Sequence, residues 1–170
     1  MSIDDPILLG ADDAGLGLLE VIADDLRALG RTVETFRPDD PVPDGPDRVP
    51  PDEVDYPDVA ERVANAIRNG RSDRGILICG TGIGMAIAAN KVPGVRAAQA
   101  HDVYSAERAR KSNDAQILTL GARVIGPESA KTVVHAWLES EFAGGASTRK
   151  VAKLERLDQR RSAAEPGGPG

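Results

Sequence analysis

The chain has 170 residues, 41% of them hydrophobic, which suits one domain with a sizeable core. A net charge of −6 and an aromatic content of 3% leave neither an electrostatic footprint for nucleic acid nor platforms on which bases could stack. No apolar run reaches membrane-spanning length, the start Met-Ser-Ile-Asp-Asp-Pro is acidic where a signal peptide would be basic and then apolar, and one cysteine excludes an internal disulfide framework; a cytoplasmic protein is expected.

Ile7 to Gly10 reads as a short apolar strand, and Leu19, Ile22, Ala23, Leu26 and Leu29 then follow helical spacing up to a C-capping Gly30. Thr32 to Phe36 predicts a second strand. Arg37 to Val54 carries six prolines and five aspartates, so a long irregular loop is expected there. Asp55-Tyr56-Pro57 opens a helix with Val59, Val63, Ala66 and Ile67 on one face, ending near Gly70. Gly75 to Cys79 predicts the third strand, Met85 to Asn90 a helix, Val95 to Ala100 the fourth strand, and Ser105 to Asn113 a helix with Ser105 as its N-cap. Ile117 to Leu120 predicts a fifth strand, and Pro127 opens a helix bearing Val133, Val134 and Trp137. Strands alternating with helices imply an α/β Rossmann-like three-layer sandwich around a five-stranded parallel sheet. A charged C-terminal helix from Thr148 to Arg161 carries the stripe Val151, Leu154 and Leu157, suited to packing on another subunit. The domain is expected to end at 161, with a disordered tail from Ser162 to Gly170.

The chemistry concentrates where the third strand runs into Cys79-Gly80-Thr81-Gly82-Ile83-Gly84. A free cysteine is most often plain core. At the carboxyl end of a parallel strand, against a glycine turn, it stands where open α/β sheets gather ligands. Backbone N–H groups and a helix start there favour a negatively charged sulfur, a usable base or nucleophile, and the same donors suit an anion or a developing oxyanion. The turn lacks the third-glycine spacing of a dinucleotide fingerprint and the Gly-Lys-Ser/Thr ending of a P-loop.

With Gly10-Ala11-Asp12-Asp13-Ala14-Gly15, Asp55-Tyr56-Pro57, the Cys79 loop, Ala88-Ala89-Asn90-Lys91-Val92-Pro93-Gly94, Asn113-Asp114 and Gly121-Ala122-Arg123-Val124-Ile125-Gly126, the chain resembles the ribose-5-phosphate isomerase B family, which includes the galactose-6-phosphate isomerase subunits. The likeness runs from Ile7 to about Leu157. It implies interconversion of aldose and ketose phosphates without metal or organic cofactor, in a site built between two subunits. By that resemblance Cys79 is the base that forms a cis-enediolate, Gly80, Gly82 and Gly84 offer N–H groups to its oxygen, Thr81 assists, Asp12 orients a hydroxyl, and Tyr56 and Asn113 line the pocket. A homodimer or dimer of dimers is implied, or a hetero-oligomer with a second family member.

Three contacts that the family pattern leads one to expect are absent. The histidine expected to contact phosphate is Asp13, the histidine expected to open a furanose ring is Ser112, and Ala146 and Ser147 stand where Arg-His is expected after Gly144-Gly145. Arg123, Arg149 and Lys150 remain as anion ligands, and His101, after the fourth strand, as a group able to titrate near neutrality at the pocket rim; His135 reads as an ordinary helix residue. The leading expectation is a small sugar-phosphate isomerase, with a tetrose phosphate fitting the departures. A half-site subunit needing a second family member and a sugar-phosphate-binding regulator are the alternatives.

Overall fold

The computed structural model describes residues 5–40 and 49–164. Five parallel strands, β1 (Ile7–Ala11), β2 (Val33–Phe36), β3 (Gly75–Cys79), β4 (Ala97–Gln99) and β5 (Ile117–Gly121), lie in the order β2-β1-β3-β5-β4. Among the described residues six helices connect and flank them: α1 (Leu16–Ala28), α2 (Tyr56–Arg68), α3 (Ile83–Ala89), α4 (Val103–Asn113), α5 (Pro127–Leu138) and α6 (Thr148–Ala164). β1, β3 and β5 are apolar and wholly buried because both their faces are covered, whereas β2 and β4 are half-exposed edges.

Alternation along the strands sorts the core into two layers. Ile7, Leu9, Ile76, Ile78, Leu118 and Leu120 meet α1, α4 and α5, while Leu8, Leu77 and Cys79 turn to α2 and α3. Each large aliphatic side chain so buried contributes roughly 1.5–3 kcal/mol. Gly10 lets α2 rest directly on β1, since an added Cβ would lie 2.9 Å from Val59 and Val63. Asp55 and Asp58 close a capping box at the start of α2, and Gly70, at φ 78°, ends it.

Several boundaries differ from the sequence reading. Within the expected irregular loop, Pro51–Glu53 form one 3₁₀ turn, and residues 41–48 lie outside the described residues. α3 starts at Ile83, two residues before the expected Met85, because Gly82 in the left-handed region turns the chain straight into the helix. β4 keeps only Ala97–Gln99 of the expected 95–100, as pairing with β5 spans Ala97 to Gln99. Asp102, not Ser105, caps α4: its carboxylate accepts the Ser105 N–H at 2.7 Å, the usual geometry of an acidic N-cap three residues ahead. α6 continues to Ala164, so residues 162–164 of the expected tail are helical, and 165–170 lie outside the described residues. Of the α6 stripe, Val151 is buried while Leu154 and Leu157 are exposed.

At the amino ends of the strands a buried guanidinium replaces apolar core. Arg74, fully buried, pairs with Asp73 at 2.8 Å and Glu141 at 2.9 Å and lies 5.6 Å from the Trp137 ring centre. Arg110 of α4 joins the same carboxylates and Asp114. No described helix is long and apolar enough to cross a membrane.

Candidate active site

The carboxyl ends of β1, β3 and β5 stop level with one another, Ala11 beside Ile78 and Cys79 beside Gly121. Residues that follow each strand therefore converge at one point, next to the place where the strand order reverses. Asp12 leaves β1 with its carboxylate accepting the Gly15 N–H at 3.0 Å. Burial pushes this carboxyl above the usual carboxylate range, helped by Asp13, while the N–H groups of Gly15 and Ala14 and the charge of Arg123 pull it back. Gly15 has no room for a side chain, because an added Cβ would lie 2.4 Å from the Ile78 carbonyl oxygen.

Cys79, 6% exposed, ends β3 with its Sγ accepting the Gly82 N–H at 3.1 Å. α3 has only seven residues and so a small dipole; the group that meets the sulfur is this N–H. β5 clasps the same turn from the other side: Ala122 N–H donates to the Cys79 carbonyl at 2.8 Å and Arg123 N–H to the Gly80 carbonyl at 3.0 Å. The Arg123 side chain lies 3.6 Å from where a Cβ on Gly80 would sit. The Tyr56 ring covers Gly84, whose added Cβ would come within 2.5 Å of it. Asp12, Asp13, Ala14, Val54, Asp55, Tyr56 and Arg123 line a cleft of about 420 Å³ at this edge.

His101 stands beside the site. Its Nε2 accepts the Gly121 N–H at 2.8 Å, so the ring is neutral with its proton on Nδ1, and burial holds it below the ordinary histidine range against the opposing pull of Asp102. The expected rim residue thus spends one nitrogen on the backbone and offers only Nδ1–H as a donor.

Four expected site residues lie elsewhere within the chain. α4 leads from the carboxyl end of β4 back to the amino end of β5, so Ser112 and Asn113 reach the opposite edge of the sheet. Arg149 and Lys150, both exposed at the start of α6, follow a segment tied to that edge by the Ala143 N–H bond to the Lys111 carbonyl at 3.0 Å. The resemblance implied a site built between two subunits and put Asn113 in its pocket, Ser112 stood where a family histidine was expected, and Arg149 and Lys150 were the remaining anion ligands; one chain does not bring these four to Cys79.

Two side chains that bind the Cys79 loop escaped the sequence reading. Gln99 Nε2 donates to the Thr81 carbonyl at 2.6 Å, and Thr119 Oγ1, fully buried, donates to the Gly82 carbonyl at 2.9 Å. Thr119 carried a signal, being the polar residue in an apolar strand. Gln99 carried none, since its role depends on β4 lying next to β5.

The pattern of the Ribose/Galactose Isomerase family matches residues 7–154. D-erythrulose-4-phosphate isomerase of Pectobacterium atrosepticum is 54% identical over 148 residues, covering 87% of this chain and 91% of that protein. D-erythrulose-4-phosphate isomerase 2 of Mycolicibacterium smegmatis is 45% identical over 146 residues, covering 85% and 91%. The structure of Clostridium thermocellum ribose-5-phosphate isomerase B superposes with a TM-score of 0.81 at 42% identity, over 92% of this chain and 99% of that one. With the parallel sheet, the strand-end site and these likenesses in place, the chain belongs to the Ribose/Galactose Isomerase family and is an isomerase.

Proposed function

We propose that this isomerase interconverts the aldose and ketose forms of a four-carbon sugar phosphate, with Cys79 as the base and a cis-enediolate between the two forms. The observation that carries the choice of substrate is the composition of the cleft. Among the described residues its lining has three carboxylates, Asp12, Asp13 and Asp55, against one guanidinium, Arg123. A phosphate dianion placed against Asp13 would meet like charge, whereas the hydroxyl groups of a sugar are ordinary partners for carboxylates. The cleft therefore suits the polyol end, and the phosphate belongs against basic residues outside it.

The chemistry follows from one proton and two carbons. Starting from the ketose, the Cys79 sulfur takes a proton from the hydroxymethyl carbon beside the carbonyl, the electrons move to the carbonyl oxygen, and the enediolate forms. Return of the proton to the neighbouring carbon, with the hydroxyl proton moved between the two oxygens, gives the aldose. The loop that bears Gly80 and Gly84 supplies N–H donors for the oxygen, each well-placed donor being worth about 2.7–4 kcal/mol in comparable sites. A tetrose 4-phosphate cannot close a furanose ring, because the oxygen that would attack carries the phosphate. Its isomerase has no ring to open, which makes Ser112 a tolerable replacement for a ring-opening acid.

The opposite-edge group, Ser112, Asn113, Arg149 and Lys150, completes the site when a second copy supplies it, and a homodimer with two such sites is the assembly we propose. The D-erythrulose-4-phosphate isomerases among the relatives support the four-carbon reading, and the ribose-5-phosphate isomerases among them set its rival. The test is kcat/KM on erythrulose 4-phosphate beside ribose 5-phosphate: a preference for the tetrose is expected, and a clear preference for the pentose overturns it. Cys79→Ala should lower turnover at least about 100-fold with the fold intact, as loss of a general base does; retention of more than a hundredth of the activity removes Cys79 from proton transfer.

A further inference from the structure

The Thr81–Gly82 peptide group touches a side chain at each end. Its carbonyl accepts Gln99 Nε2 at 2.6 Å, and its N–H, on the far side of the same plane, donates to Cys79 Sγ at 3.1 Å. A peptide is planar, so whatever holds the carbonyl aims the N–H. The next peptide, Gly82–Ile83, is held alike: its carbonyl accepts Thr119 Oγ1 at 2.9 Å, and its N–H faces Thr81 Oγ1 at 3.4 Å. Gly82, at φ 80° and packed on the Leu120 backbone, also accepts the Ala86 N–H of α3 at 3.1 Å, so Thr119 is a second donor on a carbonyl that the helix start already engages. Both anchors come from the two strands that border the loop on one side, β4 and β5.

We infer that Gln99 and Thr119 are positioning residues for the reaction, holding two successive peptide planes so that the Gly82 N–H stays on the Cys79 sulfur. Gln99 also polarises the peptide it binds: a donor on the carbonyl strengthens the N–H opposite, as in any chain of hydrogen bonds. Negative charge on the sulfur is thereby stabilised from a strand two places away in the sheet. This role rests on the reading of Cys79 as the base, but the contact itself can be read without turnover, because Cys79 is the chain's one cysteine and a thiol reagent reports on it alone.

The test uses Gln99→Leu, Thr119→Val and Thr119→Ser in the full chain. Gln99 is exposed, so Gln99→Leu keeps the fold and removes only the donor. We expect kcat to fall about 10- to 100-fold with KM within about twofold in Gln99→Leu and Thr119→Val, the size found for partners one contact removed from a reacting group. Iodoacetamide should alkylate Cys79 in Gln99→Leu at least about threefold more slowly at pH 7, through loss of the aligned donor. Thr119→Ser, which keeps the hydroxyl, should restore kcat. Unchanged kcat and unchanged alkylation in folded Gln99→Leu overturn the inference, as does a rise in KM alone. If Cys79→Ala keeps its turnover, the base assignment fails, while the alkylation rate still decides whether Gln99 governs the sulfur.

Discussion

His101 shows how one side chain ties pH to the site. Its neutral ring accepts the N–H of Gly121, the residue level with Cys79, and burial lowers its proton affinity. The folded state therefore favours the neutral ring. The stability this gives is complete above the ordinary histidine value of about 6.5 and is lost as pH falls through the lower folded value, since protonation puts a donor against a donor. Thermal melts should show Tm falling from pH 7 to pH 5, with a shallower fall in His101→Gln, whose amide oxygen accepts without titrating. An identical slope in the two proteins would show that His101 does not carry the dependence. Asp12 departs the other way, its carboxyl raised by burial. Asp12→Asn should keep the Gly15 bond through its amide oxygen and lower kcat about 10- to 100-fold, if the carboxylate orients a substrate hydroxyl; an unchanged kcat excludes that role.

Among the elements, two glycines separate structure from function. An alanine Cβ at Gly15 would meet the Ile78 carbonyl, backbone of the central sheet that cannot move aside, so Gly15→Ala should destabilise by about 3 kcal/mol or more. At Gly84 the obstacle is the Tyr56 ring, which is 41% exposed and can swing outwards. Helix propensity gained inside α3 offsets part of that displacement, so Gly84→Ala should change stability by less than about 1 kcal/mol. The ring lines the cleft, so its displacement should still lower kcat/KM about tenfold, as misplacing a positioning group does. Urea melts and steady-state kinetics on both variants check the contrast; a Gly84→Ala enzyme of full activity would mean that Tyr56 takes no part.

For the molecule as a whole, the decisive question is whether a second copy brings Ser112, Asn113 and the basic start of α6 to Cys79. Cys79→Ala and Asn113→Ala proteins, each inactive alone, should regain about a quarter of wild-type activity when unfolded, mixed and refolded together, because half the dimers are then mixed and each holds one intact site. No recovery would place both residues in one protomer's reaction, or assign the opposite-edge groups to a different chain. A monomer by light scattering at micromolar concentration would rule out the composite site directly.

Local order was legible in the chain itself. Apolar runs announced β1, β3 and β5, and helical spacing announced α1, α2 and α5, because burial on one or both faces writes its period into the residues. The turn from Gly80 to Gly84 was legible too, since glycine at a strand end leaves few conformations to choose from. Boundaries were less so: Asp102 and Ser105 both suit an N-cap, and only the bond from the Ser105 N–H to Asp102 decides between them. The convergence of Asp12, Cys79 and Arg123 depended on strand order, which pairing across the sheet determines and no single segment contains. Gln99 and Thr119 became visible as anchors only there, because a hydrogen bond to a loop carbonyl needs the neighbouring strand in register. The separation of Ser112, Asn113, Arg149 and Lys150 from Cys79 was likewise a matter of tertiary structure: α4 runs antiparallel to the strands it joins, so its end stands at the edge opposite the strand ends, and the Ala143–Lys111 bond ties the segment leading into α6 to that same edge.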